Sequence, residues 1–227
     1  MCGIYGCFNY HKANFSEQDL RKMGSILRSR GPDGHGVYID KSLMMGHNRL
    51  SIIDLSEKAT QPMSNKDGSV VISFNGEIYN HIKLKESLSR EHQFQSKSDT
   101  EVIIHAYEEL GEELWDKLQG MFAFALWDKN KDTFYLVRDH YGIKPLYYSF
   151  QNEALLFSSQ IKAISLLDSF NVEYNYQSLW NYFSYFYVPG PDTIVDGIFS
   201  LKPGSFFKLT GNSHSIEEFS NLNQGCK

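Results

Sequence analysis

Cysteine is scarce in this sequence, and the few cysteines argue against a disulfide framework and against a cysteine-ligated metal site. The 227 residues contain three of them, Cys2, Cys7 and Cys226. Their number is odd, and their spacing matches neither a disulfide framework nor a metal-ligand motif. We therefore expect a protein of a reducing cytoplasm, with no resident metal.

Long apolar runs and an excess of basic charge are also missing. The 22 Lys and Arg residues are outnumbered by 27 Asp and Glu residues, and no basic run suggests a nucleic-acid partner. Apolar stretches such as 121–127 are far shorter than the roughly 20 residues that cross a bilayer. The first residues lack the charged start and apolar segment of a secretory signal. These absences predict a protein that binds neither nucleic acid nor membrane.

The sequence does contain enough apolar residues for a large core. Hydrophobic residues make up 41% of the chain and aromatic residues 15%, which is typical of a folded domain. The length suits one large domain, or one domain followed by a tail. The polar character of residues 211–227 suggests that they are a tail or linker.

Strand-like and helix-like segments alternate irregularly along the chain. Residues 4–10 predict a strand, and residues 16–30 predict a helix that Ser16 caps with Asp19 completing the capping box. A second helix is predicted over 99–111, with Asp99 or Thr100 as its cap and Gly111 just past its end.

Several short apolar runs separated by turn residues follow the second predicted helix. They indicate β-hairpins, and residues 176–186 predict one more helix. Many antiparallel strands with a few helices between them favour an α+β layered sandwich.

The cysteine directly behind the initiator methionine is the first candidate for chemistry. Removal of Met1 would leave Cys2 with both a thiol and a free α-amine. The reference pKa of such an amine is about 7.7–8.0, so a useful fraction is neutral near pH 7. Cys2 could therefore be a nucleophile that carries its own base, or simply a cysteine near a chain end.

Three other short segments carry polar groups that suit a site for an amide substrate. Singly, Arg49 could form a surface ion pair, Asn75-Gly76 could be a turn, and Asp99 could be a helix cap. Together, the Asn75 amide and the Gly76 N–H could donate to one oxyanion, with no side chain at Gly76 to block access. Arg49 could bind the carboxylate of an α-amino acid, and Glu77 and Asp99 its ammonium.

A cysteine–histidine hydrolase is the competing catalytic arrangement. The sequence has eight histidines, and none can be paired with a cysteine by sequence alone. His47, in the segment GHNRL, is the best candidate, although a structural role in packing is the favoured interpretation.

An ordered set of motifs resembles the class II glutamine amidotransferases, which use an N-terminal nucleophile. The chain is most similar to the glutaminase domain of glutamine-hydrolysing asparagine synthetases. The motifs run in that family's order up to about residue 210: MCGI, RGPDG (30–34), GHNRLSIIDLS (46–56), QPM (61–63), FNGEIYN (74–80), SDTE (98–101), LQGMFAFALWD (118–128), RDHYGIKPLYY (138–148) and LKPG (201–204).

The resemblance implies a fold, a reaction and a role for each matching residue. The fold would be a four-layer αββα sandwich of two antiparallel sheets, the N-terminal nucleophile hydrolase fold. The reaction would be hydrolysis of glutamine to glutamate and ammonia through a thioester, without metal or cofactor. The implied roles are: nucleophile, Cys2; oxyanion donors, Asn75 and Gly76; carboxylate binding, Arg49; ammonium binding, Glu77 and Asp99; pocket backbone, Ile52 and Ile53.

The resemblance also implies a partner that this sequence does not contain. Asparagine synthetases continue into a domain that binds ATP and Mg, and its SGG-x-DS loop is missing here. We therefore expect residues 1–210 to form the amidotransferase domain and 211–227 to lead towards an absent synthetase domain. The chain would be an excised domain, a truncated product or a free-standing subunit, and homo-oligomers are an open alternative.

Two alternatives to this function remain at the level of sequence. The chain could be the glutaminase domain of another class II enzyme, such as an amidophosphoribosyltransferase or a hexosamine-forming enzyme. It could also be a non-catalytic or partner-dependent binding domain of the same fold. The aromatic segment 180–187 suggests core or an interface, and without a partner domain we expect an exposed apolar patch there.

Overall fold

Two six-stranded antiparallel sheets form the centre of the fold in this computed structural model, which describes residues 1–51, 56–89, 92–211 and 213–220. The first sheet has the spatial order β10 (Phe199–Ser200), β8 (Tyr147–Gln151), β9 (Ala154–Ser158), β1 (Gly3–Phe8), β3 (Leu43–Arg49) and β2 (Gly34–Ile39). The second has the order β12 (Ser213–Glu218), β11 (Ser205–Thr210), β7 (Thr133–Arg138), β6 (Gly120–Asp128), β5 (Val70–Ile78) and β4 (Met63–Ser64).

Helices cover the two outer faces of the paired sheets. The α-helices are α1 (Glu17–Ile26), α2 (His81–Ser87), α3 (Asp99–Leu110), α4 (Leu114–Lys117), α5 (Ile161–Ser165) and α6 (Tyr176–Tyr185), and there are 3₁₀ turns at Glu57–Ala59 and Gly111–Glu113. Within the described ranges, no helix has the length and apolar character needed to cross a membrane.

Three hydrophobic clusters define four layers. One cluster lies between the sheets and includes Phe8, Phe134 and Phe157. The second joins α2, α3 and α4 to the second sheet, and the third joins α1 and α5 to the first sheet. This arrangement confirms the predicted α+β class and the αββα sandwich.

The two predicted helix starts had different outcomes. Ser16 caps α1, and Asp19 completes the capping box as predicted, although the helix ends at Ile26 and not near residue 30. The prediction that Asp99 or Thr100 caps α3 is wrong, because Ser98 is the cap and accepts a hydrogen bond from the Thr100 N–H. Asp99 is thus the first residue of the helix, and its carboxylate is available for other partners.

Part of the predicted tail is a strand. Residues 213–218 pair along their whole length with β11, so the prediction that the fold ends before residue 211 is wrong. The strand lies at the edge of the second sheet with mostly exposed side chains. Backbone hydrogen bonds to β11 hold the strand in place. Because its side chains are mostly exposed, its sequence does not need the alternation of apolar and polar residues that marks a half-buried strand. Residues 221–227, with Cys226, lie outside the described residues.

The helix α6 and the residues after it present large aromatic side chains to solvent. Trp180 is 71% exposed and Phe183 is 75% exposed. We call this surface the aromatic patch; it comprises Tyr176, Trp180, Phe183, Phe186 and Tyr187. The interpretation of segment 180–187 as core is wrong, and the expectation of an exposed apolar patch is confirmed. A concentration of exposed large apolar side chains of this kind is typical of an interaction site.

Candidate active site

The six candidate residues whose positions are described meet at one cavity of about 320 Å³. The start of β1, the end of β3, the C-terminal half of β5 and the start of α3 surround it. The candidates that line it are Cys2, Arg49, Asn75, Gly76, Glu77 and Asp99. Ile52 and Ile53 lie outside the described residues, and their pocket role stays a prediction.

Side-chain alternation along β5 places two of these residues towards the first sheet. Val71 packs between the two sheets, and the Ser73 hydroxyl donates to the Gly46 carbonyl oxygen of β3. Because strand side chains alternate with a period of two, Asn75 and Glu77 share this face. Asn75 and Gly76 are paired with Ala123 and Phe122 inside the β5–β6 ladder, so the alternative of a turn at Asn75-Gly76 is wrong.

The Asn75 amide is a buried donor without a partner among the described residues. The residue is 1% exposed, and its Nδ2 donates no hydrogen bond to any described residue. A buried amide without a partner costs free energy of about 1–3 kcal/mol. The cost is explained if the donor is kept for a substrate, because Asn75 lines the cavity.

The backbone of β5 aims the Gly76 N–H towards the same region. The Phe74 N–H donates to Gln61 Oε1 (2.6 Å) and the Ile78 N–H donates to Asp99 Oδ2 (2.9 Å). Alternate N–H groups of a strand point to the same edge, so the Gly76 N–H lies between these two bonds on the edge away from β6. Among the described residues, β4 covers this edge only at Val71 and Ile72.

Glycine is required at position 76 for a reason that the sequence did not suggest. A Cβ there would collide with the Met121 carbonyl oxygen and lie 2.7 Å from the Phe122 Cα, both in β6. The residue is thus fixed by the close approach of two strands, in addition to any need for substrate access.

Cys2 lies at the entrance to β1 with its thiol half-buried beside Leu50. Its Sγ accepts a hydrogen bond from the Leu50 N–H at 3.4 Å. Burial raises the pKa of this thiol, while the Leu50 bond and the positive charges of the Met1 amine, Arg49 and Lys144 oppose the rise. A base close to the thiol would therefore be needed to form the thiolate at neutral pH.

The segment RGPDG holds the chain on both sides of the thiol. Arg30 Nε donates to the Cys2 carbonyl oxygen at 3.0 Å, and Asp33 accepts from the Ser51 N–H at 2.8 Å. Burial and the charges of Arg30 and Lys144 lower the pKa of the Met1 amine. The interactions of the amine with Cys2 and Asp33 partly oppose this lowering. The sequence assigned Arg30 no role, and its only signal was its position in a motif.

A second residue missed at the sequence level is Lys144. It is 6% exposed and lines the cavity. Burial and the Arg30 charge lower the pKa of its ammonium, opposed by Cys2, Asp139 and Glu77. Lys144 lies in the motif RDHYGIKPLYY, but nothing in the local spacing placed it beside the thiol.

Charged residues of both signs line the cavity. Arg49 Nη1 donates to the Ser56 carbonyl oxygen at 3.0 Å, which anchors the guanidinium at the cavity. Glu77 and the 4%-exposed Asp99 line the same cavity, and their charges interact. Burial raises the pKa of Asp99, and Glu77 adds to the rise, against the Ile78 hydrogen bond and the His81 charge. A carboxylate pair of this kind favours a cationic group between its members.

The His47 side chain is hydrogen-bonded to the backbone of β5 and is neutral. It is fully buried, and Nε2 donates to the Phe74 carbonyl oxygen at 3.0 Å. Burial lowers its pKa to about 4, so the ring is neutral at physiological pH. The packing interpretation of His47 fits this geometry better than a role as the general base for Cys2.

Comparison with known proteins matches nearly the whole chain to one family model. The model of the glutamine amidotransferase domain covers residues 1–220. The sequence is 40% identical over 213 residues to a glutamine-hydrolysing asparagine synthetase of Bacillus subtilis, covering 92% of this chain and 33% of that protein. It is 42% identical over 169 residues to asparagine synthetase B of Escherichia coli, covering 72% of this chain and 30% of that protein. The chain thus spans about a third of the length of these relatives.

Solved structures share the fold at low sequence identity. The glutamine phosphoribosylpyrophosphate amidotransferase of B. subtilis superposes with a TM-score of 0.69 and 19% identity, covering 96% of this chain and 49% of that one. An enzyme described as the allosteric regulatory enzyme of purine biosynthesis gives a TM-score of 0.72 at 19% identity, covering 98% and 50%. These similarities support the two-sheet architecture with its outer helices.

Proposed function

The chain belongs to the class II glutamine amidotransferase family, and we propose that it hydrolyses glutamine to glutamate and ammonia through a thioester on Cys2. The observation that carries the proposal is the buried Asn75 Nδ2, which has no hydrogen-bond partner among the described residues and belongs to the wall of the cavity that Cys2 also lines. A donor held without a partner next to a nucleophile is what an oxyanion hole requires.

The proposed reaction begins with attack of Cys2 Sγ on the side-chain carbonyl carbon of glutamine. The carbonyl oxygen becomes an oxyanion that accepts from Asn75 Nδ2 and the Gly76 N–H. The C–N bond then breaks, and the nitrogen leaves as ammonia after taking up a proton. Water attacks the resulting thioester, which releases glutamate and restores the thiol.

The base for both steps is proposed to be the α-amine of Cys2 itself. In a chain that retains Met1, the Cys2 nitrogen is an amide and cannot accept the proton. Removal of Met1 would place a free amine next to the Cys2 thiol, with the positive charges of Arg30 and Lys144 close by. These charges favour the neutral form of the amine and the ionised form of the thiol.

Charge complementarity supports glutamine as the substrate. Arg49 would bind the α-carboxylate, and Glu77 with Asp99 would bind the α-ammonium. The pKa of Asp99 is raised because its carboxylate is buried and no nearby positive charge fully compensates for the lost water. Binding of the α-ammonium of glutamine would supply such a charge.

The acceptor of the ammonia is proposed to be an ATP-dependent synthetase domain, as the names of the relatives suggest. ATP and Mg would bind to that domain, and we propose that the enzyme works in the cytoplasm. The aromatic patch would contact the synthetase domain, since its side chains are exposed and apolar. A Trp180→Ser, Phe183→Ser variant should keep glutaminase activity and lose stimulation by the synthetase domain of a relative.

The decisive experiment is the intact mass of the purified chain before and after treatment with a diazo-ketone analogue of glutamine. We expect loss of Met1 and one adduct, which the Cys2→Ala variant does not form. A processed, folded chain that takes no adduct and releases no ammonia would support a non-catalytic binding domain and overturn the proposal. A chain that retains Met1 should be inactive, and removal of the methionine with an aminopeptidase should restore labelling.

A further inference from the structure

A cluster of two histidines and a glutamate lies on α3 and the segment before it, apart from the residues that line the active-site cavity. His105 and Glu108 are one turn apart on the helix, and His92 reaches them from the preceding segment. One donor atom from each side chain lies within 4.8 Å of the others. We propose that His92, His105 and Glu108 bind a divalent transition metal ion of the zinc type.

The distances between the donor atoms suit such an ion. His105 Nδ1 lies 2.8 Å from Glu108 Oε2, and His92 Nδ1 lies 3.5 Å from the same oxygen. In a tetrahedral zinc site with bonds of about 2.0–2.1 Å, neighbouring donor atoms are roughly 3.4 Å apart. The observed separations lie on both sides of this value, so small side-chain rotations would bring the three donors to one ion.

Two of the three ligands, His92 and Glu108, have a hydrogen-bonded outer partner of the kind found around metal sites. His105 Nε2 is 4.0 Å from Glu101 Oε1, which is beyond hydrogen-bond distance, whereas His92 Nε2 is 2.8 Å from Glu109 Oε1. Metal-binding imidazoles commonly donate their second N–H to a carboxylate in this way, which fixes the ring and strengthens the bond to the metal.

The glutamate ligand is oriented as well. Asn65 Nδ2 donates to Glu108 Oε1 at 2.8 Å, which leaves Oε2 for the two imidazoles. Asn65 in turn accepts from the Val70 N–H, so its position is set by the turn before β5. The carboxylate is therefore held by the fold before any ion binds.

The surroundings leave one side of the cluster accessible. The side chains of His92, His105 and Glu108 are 15%, 11% and 27% exposed, and they face a surface cleft that Asp67, Ser89 and Gln93 also line. Three protein ligands would leave the fourth position of a tetrahedral ion open to a water molecule from this cleft.

Hydrogen bonding between the imidazoles and the glutamates, with no metal ion, is the competing explanation for this cluster. It accounts for the 2.8 Å contact of His105 with Glu108 and of His92 with Glu109. It does not require His92 Nδ1 and His105 Nδ1 to approach the same carboxylate oxygen. The two explanations differ in whether an added metal ion displaces protons and binds with one-to-one stoichiometry.

An ion at this position would tie the segment 92–98 to α3. That segment is already attached through Glu101, which accepts from the N–H groups of Gln95 and Ser96 at 2.7 Å each. The first residue of α3 is Asp99, a wall residue of the active-site cavity. We therefore expect the bound metal to stabilise the folded chain, without taking part in the chemistry at Cys2.

The test is titration of the metal-free chain with ZnCl₂ by calorimetry and with CoCl₂ by visible absorption. We expect one ion per chain, a Co²⁺ spectrum typical of four-coordinate nitrogen and oxygen ligands, and a higher unfolding temperature in Zn²⁺ than in EDTA. His92→Gln and Glu108→Gln should each weaken Zn²⁺ binding at least tenfold. Glu109→Gln, which removes only the outer partner of His92, should weaken it about 10-fold or more.

The matched control is His11→Gln, which removes an exposed histidine elsewhere on the surface. It should leave the affinity unchanged. Each variant is first compared with the parent chain by circular dichroism and unfolding temperature in EDTA, so that loss of fold is separated from loss of binding. Binding that survives in folded His92→Gln and Glu108→Gln variants, or Zn²⁺ binding that is absent in the parent chain, would overturn the proposal.

Discussion

The Ile78 N–H donates a hydrogen bond to Asp99 Oδ2 at 2.9 Å, which fastens the first residue of α3 to the end of β5. The bond connects the helix that carries one substrate-binding candidate with the strand that carries Asn75, Gly76 and Glu77. It also keeps a carboxylate in a buried position, where burial raises the pKa of Asp99. The folded protein therefore contains a charge whose desolvation is only partly compensated.

Replacing Asp99 by Asn should separate stability from binding. A carboxyl whose pKa is raised on folding destabilises the native state when it is ionised, and this effect disappears below its ordinary pKa of about 3.9. The Asn amide oxygen can still accept from the Ile78 N–H. We expect Asp99→Asn to unfold at a higher temperature than the parent at pH 7.5, with the difference shrinking towards pH 4.

The same variant should bind glutamine poorly, because a charged partner of the substrate ammonium is lost. A hydrogen bond to a charged group is worth about 1.5–3 kcal/mol, so KM should rise roughly 10- to 100-fold. Steady-state ammonia release measures this change. An Asp99→Asn protein that is less stable than the parent at pH 7.5 would contradict the proposed cost of burial.

Removing the Asn75 side-chain amide should affect the rate and not the fold. The amide nitrogen has no protein partner to lose among the described residues, and loss of one oxyanion donor costs about 100- to 1,000-fold in kcat. We expect Asn75→Ala to lower kcat by that factor with little change in KM, as measured by glutamate formation.

Ser73→Ala provides the control for Asn75. Ser73 lies on the same face of β5 and donates to the Gly46 carbonyl oxygen, but it does not line the cavity. Its loss should reduce stability by about 1 kcal/mol and leave kcat near the parent value. An equal loss of kcat in both variants would mean that Asn75 acts through the packing of β5.

His47 should make the protein sensitive to acid. Its pKa is lowered to about 4 by burial, whereas an unfolded histidine titrates near 6.5. The unfolded chain therefore binds the extra proton first, and stability falls as the pH drops from about 6.5 to about 4. At 1.36 kcal/mol per pKa unit, the loss is about 3 kcal/mol.

His47→Gln should flatten this part of the stability curve, because the glutamine amide can donate to the Phe74 carbonyl oxygen without titrating. Urea unfolding at several pH values between 4 and 7 measures the effect, with His11→Gln as the exposed control. If the slope for His47→Gln equals that of the parent, acid sensitivity has another source.

Gly76→Ala should destabilise the second sheet. The added Cβ would meet the backbone of Met121 and Phe122 in β6, and overpacking of this kind costs about 1–3 kcal/mol or more. The control is Gly34→Ala in β2, where the nearest atom to a Cβ is 3.9 Å away. Urea unfolding should show a lower midpoint for Gly76→Ala alone, and equal midpoints for the two variants would contradict the close-approach argument.

The sequence allowed much of the fold to be predicted, because its local signals agree with the tertiary structure. The Ser16–Asp19 capping box marks the start of α1 as observed. The motif residues Cys2, Arg49, Asn75 and Asp99 do surround one cavity, although their roles in chemistry and binding remain predictions. The order of the motifs along the chain predicted that these residues share a site. No single motif could do so, because the residues lie on four separate elements: β1, β3, β5 and α3.

Other features depend on contacts between distant segments, which local patterns do not encode. β12 is an edge strand held by backbone bonds to β11, so its polar side chains resembled a tail. Arg30, from the loop before β2, bonds the Cys2 backbone, and Lys144, from the loop before β8, lines the cavity. The close approach at Gly76 is visible only once β6 is in register with β5.

The two proposed oxyanion donors belong to consecutive residues in the interior of one nine-residue strand. Their separation is therefore set by covalent geometry and by the ladder with β6, and a loop insertion cannot widen it. Arg49, Asp99 and Lys144 line the same cavity from β3, from α3 and from the loop before β8. The fold thus separates the proposed oxyanion donors, whose spacing is fixed within one strand, from charged groups whose positions depend on how several segments pack together.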